Sequence, residues 1–132
     1  MTDTPYTVVN LKDVDDLAVG AGLSPSLEAR FARKALGLEH SGVTYLRMAP
    51  GFREPFAHRH ETHEEAYVVL SGSMRIKLDD DVVELHAWDA IRIPGPVARC
   101  REAGPNGVEM ILVGAPVSEQ SDAEVLKDWW TD

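Results

Sequence analysis

The chain is poor in cysteine, in long apolar runs and in basic residues, and each shortage excludes a class of protein. Its one cysteine, Cys100, cannot form an intramolecular disulfide, which is compatible with a reducing compartment. No apolar run approaches the roughly 18 residues that a membrane-spanning helix needs. The opening residues, MTDTPYTVVN, have neither the basic nor the apolar part of a secretory signal. We therefore expect a cytoplasmic protein without a membrane partner.

The charge balance is acidic, with 13 Lys and Arg residues against 22 Asp and Glu residues and a formal net charge of -9. Because nucleic-acid binding relies on basic contacts to phosphates, this balance argues against a nucleic-acid partner. Hydrophobic residues at 44% and charged residues at 27% are ordinary values for a globular protein. With 132 residues, the chain is expected to fold as a single domain over 1–132.

From Val43 onward, short segments of alternating polar and apolar residues are separated by turn-forming residues, which predicts an all-β barrel or sandwich. Met74, Ile76 and Leu78, for example, alternate with Arg75 and Lys77. The predicted strands are 43–49, 64–71, 73–79, 82–88, 89–94, 97–103 and 108–115. The predicted turns are Pro50-Gly51, Ser71-Gly72, Asp79 to Asp81, Gly95-Pro96 and Gly104 to Gly107.

The two ends of the chain do not follow this pattern. Apolar residues at helical spacing after Ser24-Pro25 predict a helix over 25–36, although a strand remains the alternative because tertiary pairing can override propensity. Residues 7–11, TVVNL, predict an edge strand. The tail predicts a short helix capped by Ser121 or Asp122.

Two of the three tryptophans, Trp129 and Trp130, lie in this tail. We expect them to close one end of a barrel or to pack on a partner subunit, and the alternative is a stacking lid over a pocket. A free edge strand and an apolar tail both favour association with a second chain, so we expect a homodimer. The competing arrangement is a monomer in which both ends fold back onto their own barrel.

Two histidines and a carboxylate carry the clearest chemical signal. His58 and His60 are two residues apart, so on an extended strand their side chains point to the same side. Glu65 follows across a short bend and can reach the same point. Two neutral nitrogens and one hard oxygen suit Zn, Mn, Fe(II) or Ni and leave coordination positions open. His63, in the bend, is the alternative ligand.

Gly51 to Gly72, GFREPFAHRHETHEEAYVVLSG, resembles the first motif of the cupin superfamily, G-x5-H-x-H-x3,4-E-x6-G, with one extra residue before His58. Trp88 to Ala103, WDAIRIPGPVARCREA, resembles a degraded second motif, G-x5-P-x-G-x2-H-x3-N. The resemblance covers residues 43–115 and leaves an N-terminal extension over 1–42 and a tail over 116–132. It implies a small RmlC-like cupin with an all-β double-stranded β-helix, or jelly-roll, fold.

Arg99 stands where the second motif has a histidine that is usually the fourth metal ligand, and a guanidinium cannot ligate a metal. The cupin register implies that Arg99 lies in the barrel mouth, paired with Glu65 in place of a metal or bound to a ligand's carboxylate or phosphate. The alternative is an outer face shared with Arg101. Beside a divalent ion at ~4 Å, Arg99 would cost about 8 kcal/mol, of which Glu65 would offset about half. Metal binding therefore stays open.

The resemblance also implies a pocket at the barrel mouth, formed by His58, His60, Glu65 and Arg99. We expect this pocket to bind a small molecule through Glu65 and Arg99, and His58, His60 and Glu65 are the candidate ligands of a divalent metal. The alternative is a metal-dependent enzyme of the dioxygenase, isomerase or epimerase type that acts on a small organic acid, sugar or phenol. A third hypothesis is a fold that binds no ligand. Cys100, on the opposite face of its strand, is expected to serve packing.

Overall fold

The computed structural model describes residues 4–114 and 123–131. In these residues the chain forms one antiparallel sheet and three short helical segments. The strands are β1 (Leu27–Phe31), β2 (Gly42–Met48), β3 (Phe56–Arg59), β4 (Glu65–Leu78), β5 (Asp81–His86), β6 (Ala90–Ile93), β7 (Arg99–Gly114) and β8 (Glu124–Lys127). The helical segments are a 3-10 turn (Leu11–Asp13), α1 (Leu17–Gly20) and α2 (Arg33–Leu36). The predicted all-β class is confirmed. Across the described ranges, no helix has the length and apolar character required to cross a membrane.

Two long strands, β4 and β7, run side by side and curl the sheet. The first half of β4 pairs on its other edge with β6, and the second half pairs with β5. β7 contacts β3 through its first residue and β2 through its second half, and β1 lies beyond β2. Because each long strand has different neighbours at its two ends, the sheet wraps around an interior. His58 lies near the end of β3, His60 directly follows that strand, and Glu65 lies at the start of β4.

The predicted turns at Ser71-Gly72 and Gly104 to Gly107 are wrong, because β4 and β7 continue through them. The pairing register between the two strands shifts on both sides of Ser71-Gly72. Gly72 and Gly107 have φ of 75° and 77°, and a Cβ on Gly72 would lie 2.0 Å from the Gly107 carbonyl oxygen. The two strands bend together at this point, so glycine permits a bulge and a close backbone approach here, where the sequence suggested a chain reversal.

The helix predicted over 25–36 is wrong for most of its length. Leu27–Phe31 forms the edge strand β1, which pairs with β2, and only Arg33–Leu36 is helical. Across this pair, Glu28 accepts a hydrogen bond from Nε of Arg47 at 2.9 Å. Main-chain pairing with β2 therefore overrides the helical spacing, as the strand alternative allowed.

Both ends of the described chain differ from their predicted elements. Residues 7–10 lie outside any strand and Leu11 begins a 3-10 turn, so the predicted edge strand over 7–11 is wrong. The tail helix is also wrong, because Glu124–Lys127 forms β8 and pairs with β3. The open edge of β3 offers unpaired backbone groups that a strand satisfies and a helix does not. The predicted caps, Ser121 and Asp122, lie outside the described residues.

The apolar core consists of a large interior cluster and a small cluster under the tail. In the small cluster, Cys100 and Trp130 are buried together with Ala57. Burial raises the pKa of the Cys100 thiol to about 11, in keeping with its predicted packing role. Because Trp130 packs against the outer face of β3 and is only 9% exposed, it does not form a lid. The large cluster contains Leu46, Met48, Tyr67, Val69, Met74, Ile76, Leu85, Ile93, Ala103, Val108, Met110 and Leu112.

The homodimer stays a prediction. The buried position of Trp130 and the lack of a strand over residues 7–10 remove two of the observations that favoured it. One edge of the sheet, at β1, is bridged to the N-terminal segment of the same chain through Asp16 and Arg30. Light scattering of the full chain is the measurement that decides between dimer and monomer.

Candidate metal and ligand site

β3 and the residue after it position the two histidines. His58 lies in β3 between Arg99 of β7 and Val125 of β8, and His60 directly follows the strand. The main-chain N–H of His60 donates to the carbonyl of Gly95 at 2.8 Å, which fixes the chain beyond the strand. The two imidazole rings have centroids 5.3 Å apart. The extended backbone thus presents both rings on one side.

Glu65, the first residue of β4, brings a carboxylate to the same place. One donor atom from each of His58, His60 and Glu65 lies within 4.8 Å of the other two. His60 Nε2 is 3.7 Å from Glu65 Oε1, and these two side chains are 12% and 20% exposed. The three residues that the sequence indicates as metal ligands therefore converge in a half-buried cluster that solvent can reach.

His58 is uncharged at neutral pH. Burial and then the positive charge of Arg101 lower the pKa of His58 to about 4, against an opposing effect of the Glu54 carboxylate. A metal requires the neutral form of histidine, because only that form offers a nitrogen lone pair. The surroundings of His58 thus favour the protonation state that a metal ligand needs.

Arg99 is fully buried, and each of its side-chain nitrogens has an acceptor. Nη1 donates to Glu65 Oε1 at 2.6 Å, and Nε donates to the Val97 carbonyl at 3.1 Å. Nη2 donates to the carbonyls of Pro94, Gly95 and Val97 at 2.7, 3.1 and 2.9 Å. The guanidinium therefore points into the interior, which excludes the outer-face alternative, and it ties Glu65 to the loop between β6 and β7.

A second buried ion pair, which the sequence did not indicate, follows two residues further along β7. Arg101 is 5% exposed and donates from Nε and Nη2 to the two carboxylate oxygens of Glu54, each at 2.7 Å. Burial acts to raise the pKa of Glu54, but the charge and hydrogen bonds of Arg101 outweigh it and leave that pKa below its usual value. Burial acts to lower the pKa of Arg101, and Glu54 more than offsets this effect. Both groups are charged at neutral pH.

Tyr67 connects the two ion pairs. Its hydroxyl donates to Glu65 Oε1 at 3.3 Å, and its ring lies 5.2 Å from Cζ of Arg101. The side chain is fully buried, and burial raises the pKa of its hydroxyl. Tyr67 is therefore a neutral hydrogen-bond donor between Glu65 and Arg101.

The other histidines lie beside or away from this cluster. His63 has its ring centroid 5.8 Å from that of His60, but its donor atoms do not join the convergent group of three among the described residues. His86 is exposed and lies 3.1 Å from Glu84. His40 is exposed as well. The alternative ligand set with His63 has no geometric support.

The donor set fits a divalent ion. Two imidazoles and a carboxylate suit Zn, Mn, Fe(II) or Ni, and three protein ligands leave coordination positions open. A carboxylate has two oxygens with about four lone-pair sites, so Glu65 can accept from Arg99 and Tyr67 and still ligate an ion. The cost of about 8 kcal/mol from a cation near 4 Å is opposed by the carboxylates of Glu65 and Glu54. The three residues could hold a divalent ion, with the Arg99 guanidinium beside them.

Comparisons with known proteins identify the fold. Residues 44–100 match a family model described as a cupin domain. A cupin protein from Bacteroides fragilis has 21% identity and a TM-score of 0.70, over 89% of this chain and 90% of that chain. The polyketide cyclase RemF from Streptomyces resistomycificus has 24% identity and a TM-score of 0.71, over 96% and 87%. The Streptomyces protein PAC13, solved as a variant with uridine, has 17% identity and a TM-score of 0.71, over 96% and 93%. No curated protein matches the chain.

At these identities the structural likeness establishes the fold alone, which is the jelly roll that the sequence predicts. The family match is independent of it and includes His58, His60, Glu65 and Arg99. Residues 44–100 therefore match a cupin domain, and the described chain has the cupin fold.

Proposed function

We propose that this cupin binds a small organic anion in the barrel mouth, next to a divalent metal ion held by His58, His60 and Glu65. The observation that carries the proposal is the convergence of one donor atom from each of these residues to within 4.8 Å. A bound ion would supply Lewis-acid polarisation of a ligand oxygen. Glu65 and Arg99 are proposed to contribute to ligand binding, Glu65 directly and Arg99 by holding the Glu65 carboxylate in place.

The charges around the cluster favour an anionic ligand. Arg99 and Arg101 are matched by Glu54 and Glu65, so the four buried or half-buried charged groups sum to zero. A divalent ion at the His58 cluster raises this sum to two positive charges in a region of low dielectric. A carboxylate or another small anion would neutralise part of that charge, whereas a cationic ligand would add to it.

A metal-dependent enzyme of the dioxygenase, isomerase or epimerase type, acting on a small organic acid, sugar or phenol, is the second candidate. Three protein ligands leave coordination positions open for a substrate, and the Tyr67 hydroxyl provides a neutral proton donor beside Glu65. The similar fold of a polyketide cyclase shows that this architecture accommodates catalysis. Mass spectrometry of the bound small molecule separates the two candidates: a binding protein releases it unchanged, and an enzyme releases a product.

Calorimetric titration of chelator-treated protein without a histidine tag tests the metal site. We expect the protein to bind one ion per chain when titrated with at least one of Mn, Fe(II), Ni or Zn. His60→Ala should abolish this binding, because it removes one of three ligands. His86→Ala is the matched control, since His86 is exposed and outside the cluster, and it should bind like the unmodified protein.

The proposal is contradicted if His60→Ala binds the ion as tightly as the unmodified protein. Equal losses in His60→Ala and His86→Ala would also contradict it, because they would indicate nonspecific surface binding.

A further inference from the structure

One buried donor of Arg101 has no acceptor in the part of the chain that the structure describes. Glu54 occupies Nε and Nη2, but Nη1, on the other edge of the guanidinium, is enclosed and has no hydrogen-bond partner among residues 4–114 and 123–131. The residue as a whole is 5% exposed. A buried charged donor without an acceptor is rare in native proteins and indicates a missing ligand, ion or water.

The Arg101 side chain lies next to the proposed metal ligands. Arg101 is two residues from Arg99 on β7, so both side chains point to the same side of the strand. Its guanidinium lies over the ring of Tyr67, whose hydroxyl donates to Glu65. Its charge is also the strongest of those that act on His58. Arg101 thus borders the cluster beside Tyr67 and His58, while Arg99 borders it beside Glu65.

We infer that Arg101 Nη1 binds a carboxylate oxygen of the proposed small organic acid, which makes Arg101 the residue that selects the anion. The inference rests on the proposed function, because the acid is the small molecule of that proposal. Arg99 does not serve this purpose, since each of its nitrogens is already bonded. One spare nitrogen suits a carboxylate, whereas a phosphate dianion requires several convergent donors. Because Nη1 is enclosed, binding requires a neighbouring side chain to shift.

Nitrogen-15 NMR of the arginine side chains in the unmodified protein tests this inference without a variant. Acetate and formate are the probes, because they are the smallest carboxylates, and inorganic phosphate is the comparison anion. We expect saturable shifts of the Arg101 guanidinium nitrogens with acetate or formate at millimolar concentration, and smaller shifts at Arg99. An unchanged Arg101 signal, or a response to phosphate only, overturns the inference.

A variant pair supplies the second arm. Arg101→Lys keeps a positive charge for Glu54 but removes Nη1, and we expect it to weaken acetate binding at least tenfold. Arg47→Lys is the matched control, because Arg47 is also ion-paired with a glutamate but lies outside the site, and its affinity for acetate should not change. Equal acetate affinity in a folded Arg101→Lys protein overturns the inference.

Both arms are run with and without the metal ion, so the two proposals fail separately. Acetate binding at Arg101 in a protein that takes up no metal contradicts the metal site and leaves the role of Arg101 standing. Metal binding without any acetate response at Arg101 contradicts the role of Arg101 and leaves the metal site standing. It would mean that a water molecule satisfies Nη1.

Discussion

Arg99 and Arg101 lie two residues apart on β7 and point into the same interior, yet they are stabilised in different ways. Arg99 is held by three loop carbonyls in addition to Glu65. Among the described residues, Arg101 depends on Glu54 alone for its side-chain hydrogen bonds and keeps one nitrogen without a partner. The difference supports our proposal that Arg99 holds Glu65 in place, whereas Arg101 binds an acceptor from outside the chain.

The two arginines should differ most in how much the loss of their glutamate partner lowers the free energy of unfolding. Glu54→Ala removes the carboxylate partner of Arg101, and we expect it to lower the free energy of unfolding by about 3–5 kcal/mol because a buried charge is left unpaired. Glu65→Ala should cost only about 1–3 kcal/mol, because the loop carbonyls still bind Arg99. Urea denaturation measures both. Equal costs, or a larger cost for Glu65→Ala, would show that the two arginines do not differ in this way.

The pH dependence of stability also distinguishes the two arginines, because Arg101 lowers the pKa of His58 more than Arg99 does. His58 takes up a proton near pH 4 in the folded state and near pH 6.5 in the unfolded chain, so the unfolded state binds more protons between these values. Stability therefore falls as the pH is lowered through this window, by about 2 kcal/mol between pH 7 and pH 5. Urea denaturation of chelator-treated protein at the two pH values measures it.

His58→Asn should lack this part of the pH dependence, and His86→Asn should retain it, because His86 is exposed. The window lies above the pH at which the glutamates with lowered pKa, Glu28, Glu54 and Glu109, take up protons, so their contribution is separate. The same slope in His58→Asn and in the unmodified protein would contradict a buried neutral His58.

Arg99→His has the smallest expected effect, and it tests whether Arg99 weakens the binding of a divalent metal. The substitution restores a nitrogen ligand and removes a repelling charge, so we expect divalent affinity to rise about tenfold, or ~1.4 kcal/mol. Calorimetric titration measures the change, and Arg92→His, at an exposed arginine, is the control. Unchanged or weaker affinity in Arg99→His would mean that Arg99 does not stand in the place of a fourth ligand.

The part of the site that lies on one short stretch could be predicted from the sequence. His58 and His60 are fixed by the period of an extended strand, and Glu65 by the short bend that follows. The inward direction of Arg99 follows from its position in the second motif. Glu54 could not be predicted, because it lies in a connection without periodicity and meets Arg101 only through the tertiary fold, 47 residues away in sequence.

The errors in the fold share a physical cause, which is that local signals have two meanings until strand pairing is known. Glycine at Ser71-Gly72 suits a turn and a bulge alike, and pairing between β4 and β7 selects the bulge. Residues 27–31 have helical spacing, and pairing with β2 makes them a strand. Trp88, which stands where the second motif has a glycine, has a φ of 72°, a conformation that residues other than glycine rarely adopt.

The metal content of protein purified without a histidine tag shows whether His58, His60 and Glu65 bind an ion. After separate incubation with Mn, Fe(II), Ni and Zn, followed by removal of free ions, elemental analysis should find one divalent ion per chain for at least one of these metals. The convergence of His58, His60 and Glu65 predicts this stoichiometry. The absence of stoichiometric metal with all four ions would contradict the account and leave a cupin in which the Arg99–Glu65 pair has replaced the metal.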